Sequence, residues 1–336
     1  MYYLCDYFFE NYDMNNKILI LFVVFLSVLT VGCEKAGYKQ INGVIWNTTY
    51  HITYKSDKDF LDSVINTLRN IERSVSAFDS KSIVSQVNRN DTVELDSIFR
   101  KVYIKSVEFN KLSLGYFDPT VSPLVNARGF GYEKTNGEDS LDSLLDFIGI
   151  SKSRIEDNRL LKDDNRLTFN FSAIAKGLGS DEVANMLKRN GVNDFIVEIG
   201  GEVVAHGYSP RGGAWNVAIE SPSTGLKREA KLIVELENMS MATSGDYRNY
   251  KVEDGKKYSH IVNPVTGLAN PTDIVSATII AEHCIDADAF ATSCVAMGSE
   301  LAKIMVEDNG VAAYFIFDDM TVWSSNEFKK LKTIEN

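Results

Sequence analysis

From Ser172 to His206 the chain reads SAIAKGLGSDEVANMLKRNGVNDFIVEIGGEVVAH. The first part has the composition of a helix that Gly191 ends, and the second reads as two strands, Phe195–Ile199 and Glu202–His206, broken by Gly200-Gly201. The rest of the chain shows the same mixture of strands and helices with no regular βαβ rhythm. That pattern predicts an α+β fold, not a doubly wound parallel sheet.

Upstream, residues 41–54 alternate polar and apolar types and are rich in β-branched and aromatic residues, so they read as opening strands. Phe60, Leu61, Val64, Leu68, Ile71 and Val75 recur at helical spacing and predict an amphipathic helix over about 57–76. A second helix, over roughly 96–114, carries Ile98, Val102, Ile104, Val107 and Leu112 and stops at Gly115. The acid-rich segment 136–166, with a short helix near 140–148, reads as a surface excursion. Downstream, strands are expected near 215–220, 230–237, 258–262 and 275–280, followed by a helix over 286–307. A terminal hairpin, 312–317 with 320–323, turns at Asp318-Asp319. No internal repeat or low-complexity linker interrupts this order.

Of the 336 residues, 44% are hydrophobic and 24% charged, which is globular composition with enough chain for one large domain or two smaller ones. The net charge of −11 comes without an acidic tail or a Lys/Arg stripe interleaved with aromatics, which argues against a nucleic-acid partner. The most apolar stretch, Ile18 to Val31, follows Lys17 and ends in Val31-Gly32-Cys33, the layout of a secretory signal. It is shorter than the roughly 20 residues a spanning helix needs. The Gly-Cys ending resembles a lipoprotein signal in which Cys33 is lipidated, although Thr30 stands where that pattern usually has leucine; a plain secretory signal or an uncleaved anchor is the alternative. Tyr2, Tyr3, Phe8 and Phe9 among acids do not suit the start of a signal, so Met14 reads as the true start. The expected organisation is a leader over 1–33 and one folded domain over 38–330. Losing residues 1–32 removes one lysine and three acids and moves the net charge to −9. Cys284 and Cys294 read as small buried apolar residues and not as a disulfide or a metal motif.

Four clusters carry possible chemistry, and none is a phosphate-binding loop of a common nucleotide fold. The first is Gly115-Tyr-Phe-Asp-Pro-Thr120, running on to Arg128-Gly-Phe-Gly131, where prolines and Asp118 also suit a rigid loop. In the second, Lys176 lies in the first turn of a helix whose N-terminus is already positive, an arrangement that suits an anionic phosphate. The third, Val197-Glu-Ile-Gly-Gly-Glu202, fits either a close ligand approach or a β-bulge with Glu202 solvated. The fourth joins Thr243-Ser-Gly-Asp-Tyr247, Tyr258-Ser-His-Ile-Val-Asn-Pro-Val-Thr-Gly267 and Asp286-Ala-Asp-Ala-Phe-Ala-Thr292. Asp288 and Thr292, four apart, put two oxygen ligands on one helical face, and hard oxygen ligands suit Mg²⁺.

Together these motifs resemble the ApbE family, the FAD:protein FMN transferases, over about Asn47 to Gly298. The matches are Phe-Asp-Pro-Thr-Val at 117–121, Ala-Lys-Gly with its following Asp at 175–181, Glu-Ile-Gly-Gly-Glu at 198–202, Ser-Gly-Asp-Tyr at 244–247, Ser-His-Ile with Pro and Thr-Gly at 259–267, and Ala-Asp-Ala with Ala-Thr at 287–292. The resemblance implies an α+β fold of mixed sheets and helices in two lobes, with FAD and Mg²⁺ in the cleft between them. It implies Asp288, Thr292 and the carbonyl of Ala173 as metal ligands, and Tyr50 as a ring stacking on the flavin or adenine. Phe117, Asp118, Thr120, Lys176, Asp181, Glu202, Thr243 and His260 are the implied FAD contacts. Asn47 departs from the glycine often found at its position in the family.

The implied activity moves FMN from FAD onto a threonine of an acceptor flavoprotein and releases AMP. Lys176 and Mg²⁺ neutralise phosphate charge, and His260 takes the hydroxyl proton, with Asp246 as the alternative base. His51 and His206 read as strand residues and His283 as surface loop. The competing readings are hydrolysis of FAD to FMN and AMP, and a non-enzymatic FAD-binding lipoprotein. The acceptor is expected at the outer side of the cytoplasmic membrane, where the lipid anchor would hold this chain too.

Overall fold

Trp46 and Asn47 both hold left-handed backbone, φ 49° and 59°, the geometry of a tight hairpin turn whose twist matches its strands. They fold β1 (Tyr38–Ile45) onto β2 (Thr48–Lys55). The computed structural model describes residues 37–127, 141–222, 230–245, 250–253, 256–259, 261–268 and 272–335. Three helices follow the hairpin: α1 (Leu61–Val75), α2 (Ile83–Asn88) and α3 (Ser97–Leu112). Asp96 caps α3 by accepting from the Phe99 N–H at 2.7 Å, and Ser74 of α1 donates to the same carboxylate at 2.8 Å, so one side chain starts one helix and ties it to another.

Next come α4 (Ser122–Ala127), α5 (Leu141–Leu145) and a small hairpin of β3 (Ser153–Glu156) and β4 (Arg159–Lys162). The long α6 (Ser172–Arg189) leads into β5 (Phe195–Ile199), β6 (Glu202–His206), β7 (Trp215–Glu220), β8 (Ala230–Leu236) and β9 (Ser240–Gly245). β10 (Tyr250–Glu253) pairs with β11 (Lys256–Ser259). The chain closes with β12 (Ile274–Ala281), α7 (Cys284–Met297), α8 (Ser299–Asp308), β13 (Ala312–Phe317), β14 (Val322–Ser324) and β15 (Thr333–Glu335).

Eight strands form one antiparallel sheet in the order β1-β2-β5-β6-β9-β12-β13-β14. Its two faces are covered differently, and β13 shows how. Ala313 and Phe315 pack toward the helices, while Ala312, Tyr314 and Ile316 pack toward a three-stranded sheet, β15-β8-β7. A strand covered on both sides must be apolar throughout, which is why AAYFIF shows no alternation. On the helical face α1 and α6 cover β2 and β5 through Leu68, Leu187, Ile52 and Val197, all fully buried and each contributing about 1.5–3 kcal/mol of burial. The residues from Tyr38 onward cluster as one compact unit.

The α+β expectation holds, and β5, β6 and β7 match their predicted ranges. The helix expected over 286–307 is two helices, because Gly298 takes φ 80° between them and at once ends α7 and opens α8. The strand expected at 258–262 runs instead over Lys256–Ser259, and Ile261 and Val262 are outside any strand. The 136–166 segment is more than a surface excursion: Phe147, Ile148 and Ile150 are buried, and β3 and β4 pair within it.

Candidate functional site

Helices α6 and α7 run side by side in opposite directions and are pinned at three points, one helical turn apart. Near the start of α7, Asp181 of α6 accepts from the N–H groups of Cys284 and Ile285, each at 2.9 Å. One turn along, Asp288 Oδ2 accepts from the Gly177 N–H at 2.9 Å. One turn further, the Thr292 hydroxyl donates to the Ala173 carbonyl at 3.4 Å. The spacing of four residues on each helix is what lets the contacts repeat. It carries Asp288, Thr292 and the Ala173 carbonyl to the same end of the helix pair.

Lys176, the fifth residue of α6 and so just beyond its first turn, reaches Glu202 at the start of β6 and lies 4.0 Å from Asp288 Oδ1. Both carboxylate side chains are almost wholly buried, at 1% and 2% exposure, whereas Lys176 is 34% exposed. Burial pushes both carboxyl pKa values up, and the Lys176 ammonium opposes that rise. Burial also works against the charge of Lys176, but the carboxylates of Glu202 and Asp288 outweigh it and hold the ammonium above its ordinary pKa. Glu202 is therefore not the solvated bulge residue that its sequence context also allowed. Its second oxygen, Oε2, is buried without a hydrogen-bond partner among the described residues. Two buried carboxyl groups thus face one ammonium, and Glu202, pushed up to about 8, can ionise fully near neutral pH only beside a further positive charge.

An added cation would supply that charge. Asp288, the Thr292 hydroxyl and the Ala173 carbonyl are hard oxygen donors, and Ser244 of β9 lies 3.1 Å from Thr292 Oγ1. Among the described residues no three His, Cys, Asp or Glu side chains gather to hold a metal. A donor set with so few protein carboxylates suits Mg²⁺, which keeps waters and takes substrate phosphates as ligands.

These groups lie in the wall of a cavity of about 460 Å³ that Phe117, Asp118, Thr243 and Ile261 also line. That volume is within the range of small-molecule sites, about 300–1,000 Å³. Asp118 uses both oxygens to hold its loop. It accepts from Thr120 N (2.8 Å), Thr120 Oγ1 (2.6 Å), Ile150 N (3.0 Å) and Asn110 Nδ2 (3.1 Å), and burial nevertheless pushes its pKa up. Thr120 is fully buried and also accepts from the Gly149 N–H at 2.8 Å.

Not every expected contact reaches the cavity. Tyr50 is 6% exposed, packs in the core under α1 and α6, and covers Gly43 across the opening hairpin, so its ring is placed for packing and not for stacking on a ligand there. Asp181 spends both oxygens on the start of α7 and works as a helix cap. Thr243 does line the cavity, but its hydroxyl bonds with Thr278 across the β9–β12 pair, 2.9 Å away, whereas the neighbouring Ser244 reaches Thr292 of α7. Ser244 is the site residue that sequence reasoning passed over; neighbouring residues of a strand face opposite ways, and only the pairing of β9 shows which of the two faces α7. Asp246 and His260 lie outside the described residues; Ile261, which follows His260, lines the cavity. His51 pairs with Glu198 at 2.5 Å on an exposed face, and His206 stacks on Phe195 with ring centroids 5.3 Å apart. Cys284 and Cys294 are free and buried, as expected.

Comparison with known proteins agrees with this picture. A family model described as the ApbE family matches residues 46–315. The FAD:protein FMN transferase of Haemophilus influenzae is 32% identical over 341 residues, covering 95% of this chain and 99% of that protein. That of Vibrio cholerae is 34% identical over 319 residues, covering 90% and 95%. Among solved structures, the flavin transferase ApbE from Vibrio cholerae matches with a TM-score of 0.80 at 32% identity, over 88% of this chain and 100% of that one. The apo form of Pseudomonas stutzeri flavinyl transferase ApbE also gives a TM-score of 0.80, at 29% identity over 90% and 98%.

Proposed function

This chain belongs to the ApbE family, and on that footing we propose that it is an FAD:protein FMN transferase whose acceptor is a threonine hydroxyl of a flavoprotein. The observation that carries the reading is Lys176 and Asp288 in the cavity wall beside the Ala173 and Thr292 oxygens, with the buried Glu202 behind them holding the Lys176 ammonium. Transfer of a phosphate-linked group needs little covalent help from the protein, and positioning and charge neutralisation supply most of the rate.

The hydroxyl oxygen attacks the phosphorus on the FMN side of the FAD diphosphate. A new P–O bond forms as the bond from that phosphorus to the bridging oxygen breaks, and AMP leaves with the bridging oxygen. Lys176 offers positive charge to the phosphate oxygens, and Glu202 holds its ammonium in place. Asp288, Thr292 and the Ala173 carbonyl would hold Mg²⁺, which supplies further neutralisation of the diphosphate. His260 takes the hydroxyl proton, as an imidazole titrating near neutral pH can, with Asp246 as the alternative base.

The leader adds the location. Cys33, lipidated after cleavage, holds the domain at the outer face of the cytoplasmic membrane, where its acceptor is a membrane-associated flavoprotein. Among the described residues no helix is long and apolar enough to cross a membrane.

Incubation with FAD, Mg²⁺ and a threonine-bearing acceptor tests the activity. The reading expects an acceptor band that fluoresces after denaturation, with AMP released in equal amount. Free FMN with an unlabelled acceptor would make the protein a hydrolase, and intact FAD would make it a carrier.

A further inference from the structure

One turn gives Lys176 both a counter-charge and a surface for its stem. Glu202, the first residue after Gly200-Gly201, holds the ammonium, and the stem packs on Gly200, where an added Cβ would lie 3.2 Å from Lys176 Cδ. The turn joins β5 to β6 with Ile199 paired to Glu202, and both glycines take left-handed backbone, φ 62° and 99°. A glycine pair has many conformations open to it, so contacts outside the pair have to select this one. The N–H groups of the turn show which contacts do. That of Gly200 donates to the Thr49 carbonyl of β2 at 2.9 Å, and that of Gly201 donates to Glu198 Oε1 at 2.6 Å. The other oxygen of Glu198, Oε2, lies 2.5 Å from Nδ1 of His51, its paired neighbour on β2.

We propose that Glu198 is a positioning residue for the transfer: it fixes the turn, and the turn fixes the Lys176 ammonium. The inference rests on the transferase reading, in which Lys176 neutralises charge on the phosphate oxygens. Glu198 lies outside the cavity lining, so it acts through Gly200 and Glu202 and not on the substrate. Gly201 is exposed, so water takes over its N–H when the carboxylate is removed, and the fold loses little. What is lost is the selection of one turn conformation, and with it the place of the ammonium. A charge misplaced by about 1 Å costs a transition state far more than it costs a fold. His51 holds the carboxylate from its far side and keeps it in the rotamer that reaches Gly201.

The test compares Glu198→Ala, Glu198→Gln and His51→Ala with the parent in FMN transfer to an acceptor protein with Mg²⁺ over a range of FAD concentrations. Thermal unfolding and amide hydrogen exchange at Gly201 are measured on the same proteins. Glutamine keeps an oxygen that can accept from the Gly201 N–H, and alanine does not. Glu198→Ala should lower kcat by about tenfold while KM for FAD stays within about threefold of the parent. Its unfolding temperature should match the parent's, and its Gly201 amide should exchange faster. Glu198→Gln should recover kcat to within about threefold of the parent, with His51→Ala between the two. Parental kcat in Glu198→Ala, a loss that glutamine does not recover, or activity that falls only in step with stability, failure to fold included, would each overturn the positioning role. A parent that binds FAD but transfers no FMN would instead overturn the functional reading, and this inference with it.

Discussion

Asp288 reaches the backbone N–H of Gly177 at 2.9 Å because Gly177 has no side chain. A Cβ built there would lie 2.8 Å from Asp288 Cβ and closer still to the Cys284 carbonyl oxygen. Helices α6 and α7 approach this closely only at a glycine, and the carboxylate is aimed by that approach.

The first prediction is therefore made at Gly177. Alanine is the better helix former by about 1 kcal/mol, yet here it meets backbone that cannot move aside cheaply. Gly177→Ala should lower stability by roughly 1–3 kcal/mol and cut FMN transfer further than that loss explains, because Asp288 is displaced. Urea unfolding and a transfer assay on the same preparation check both halves. A variant as stable and active as its parent would mean that the close approach is not needed.

Asp118 gives a pH prediction. Burial raises its pKa in the folded protein above the unfolded value, so between those two pKa values the native state holds more protons than the unfolded one. Its contribution to stability is fully present below the unfolded pKa and is lost as pH rises through the folded one. Asp118→Asn should cost about 1–3 kcal/mol at pH 7, since an amide cannot accept from all the donors around it. The stability gap between parent and variant should widen as pH falls from 7 toward 4. Thermal unfolding of both proteins across that range decides it, and a narrowing gap would contradict the assigned direction.

What the sequence disclosed about this molecule was local. Gly191 and the Gly200-Gly201 pair punctuate α6, β5 and β6, and Asp288 with Thr292 shows its shared helical face by spacing alone. What it hid was contact across distance. Asp181 meets Cys284 from 103 positions away, and Lys176 meets Glu202 from 26, so no periodicity reports either pair. Strand β9 lacked a readable alternation because both faces of Ser240, Met241 and Ala242 are buried, which concealed the choice between Thr243 and Ser244. Tyr50, which the family resemblance put forward as a stacking ring, packs in the core, a place that an aromatic side chain suits as well as a ligand site.

His260 carries the third prediction. As general base, its replacement in His260→Asn should leave FAD affinity and thermal unfolding unchanged while lowering transfer by roughly 10²- to 10⁴-fold at neutral pH. The deficit should shrink at high pH, where hydroxide substitutes. A rate within a few-fold of the parent, or parallel loss of stability and activity, would move the role to Asp246.

Cys33→Ala tests the anchor. The variant should leave the membrane fraction for the soluble secreted one, or stall before processing. Full processing with unchanged membrane association would show that Cys33 is not the point of attachment.

The most direct measurement of the central claim is the intact mass of an acceptor protein after incubation with FAD and Mg²⁺, using either the parent or Asp288→Ala. The parent should add one FMN group per target threonine and release one AMP. Asp288→Ala should add none while still binding FAD, because a lost carboxylate ligand removes neutralisation of the diphosphate more than it removes contacts to the rings. An acceptor of unchanged mass beside free FMN, or equal labelling by the variant, would contradict the account.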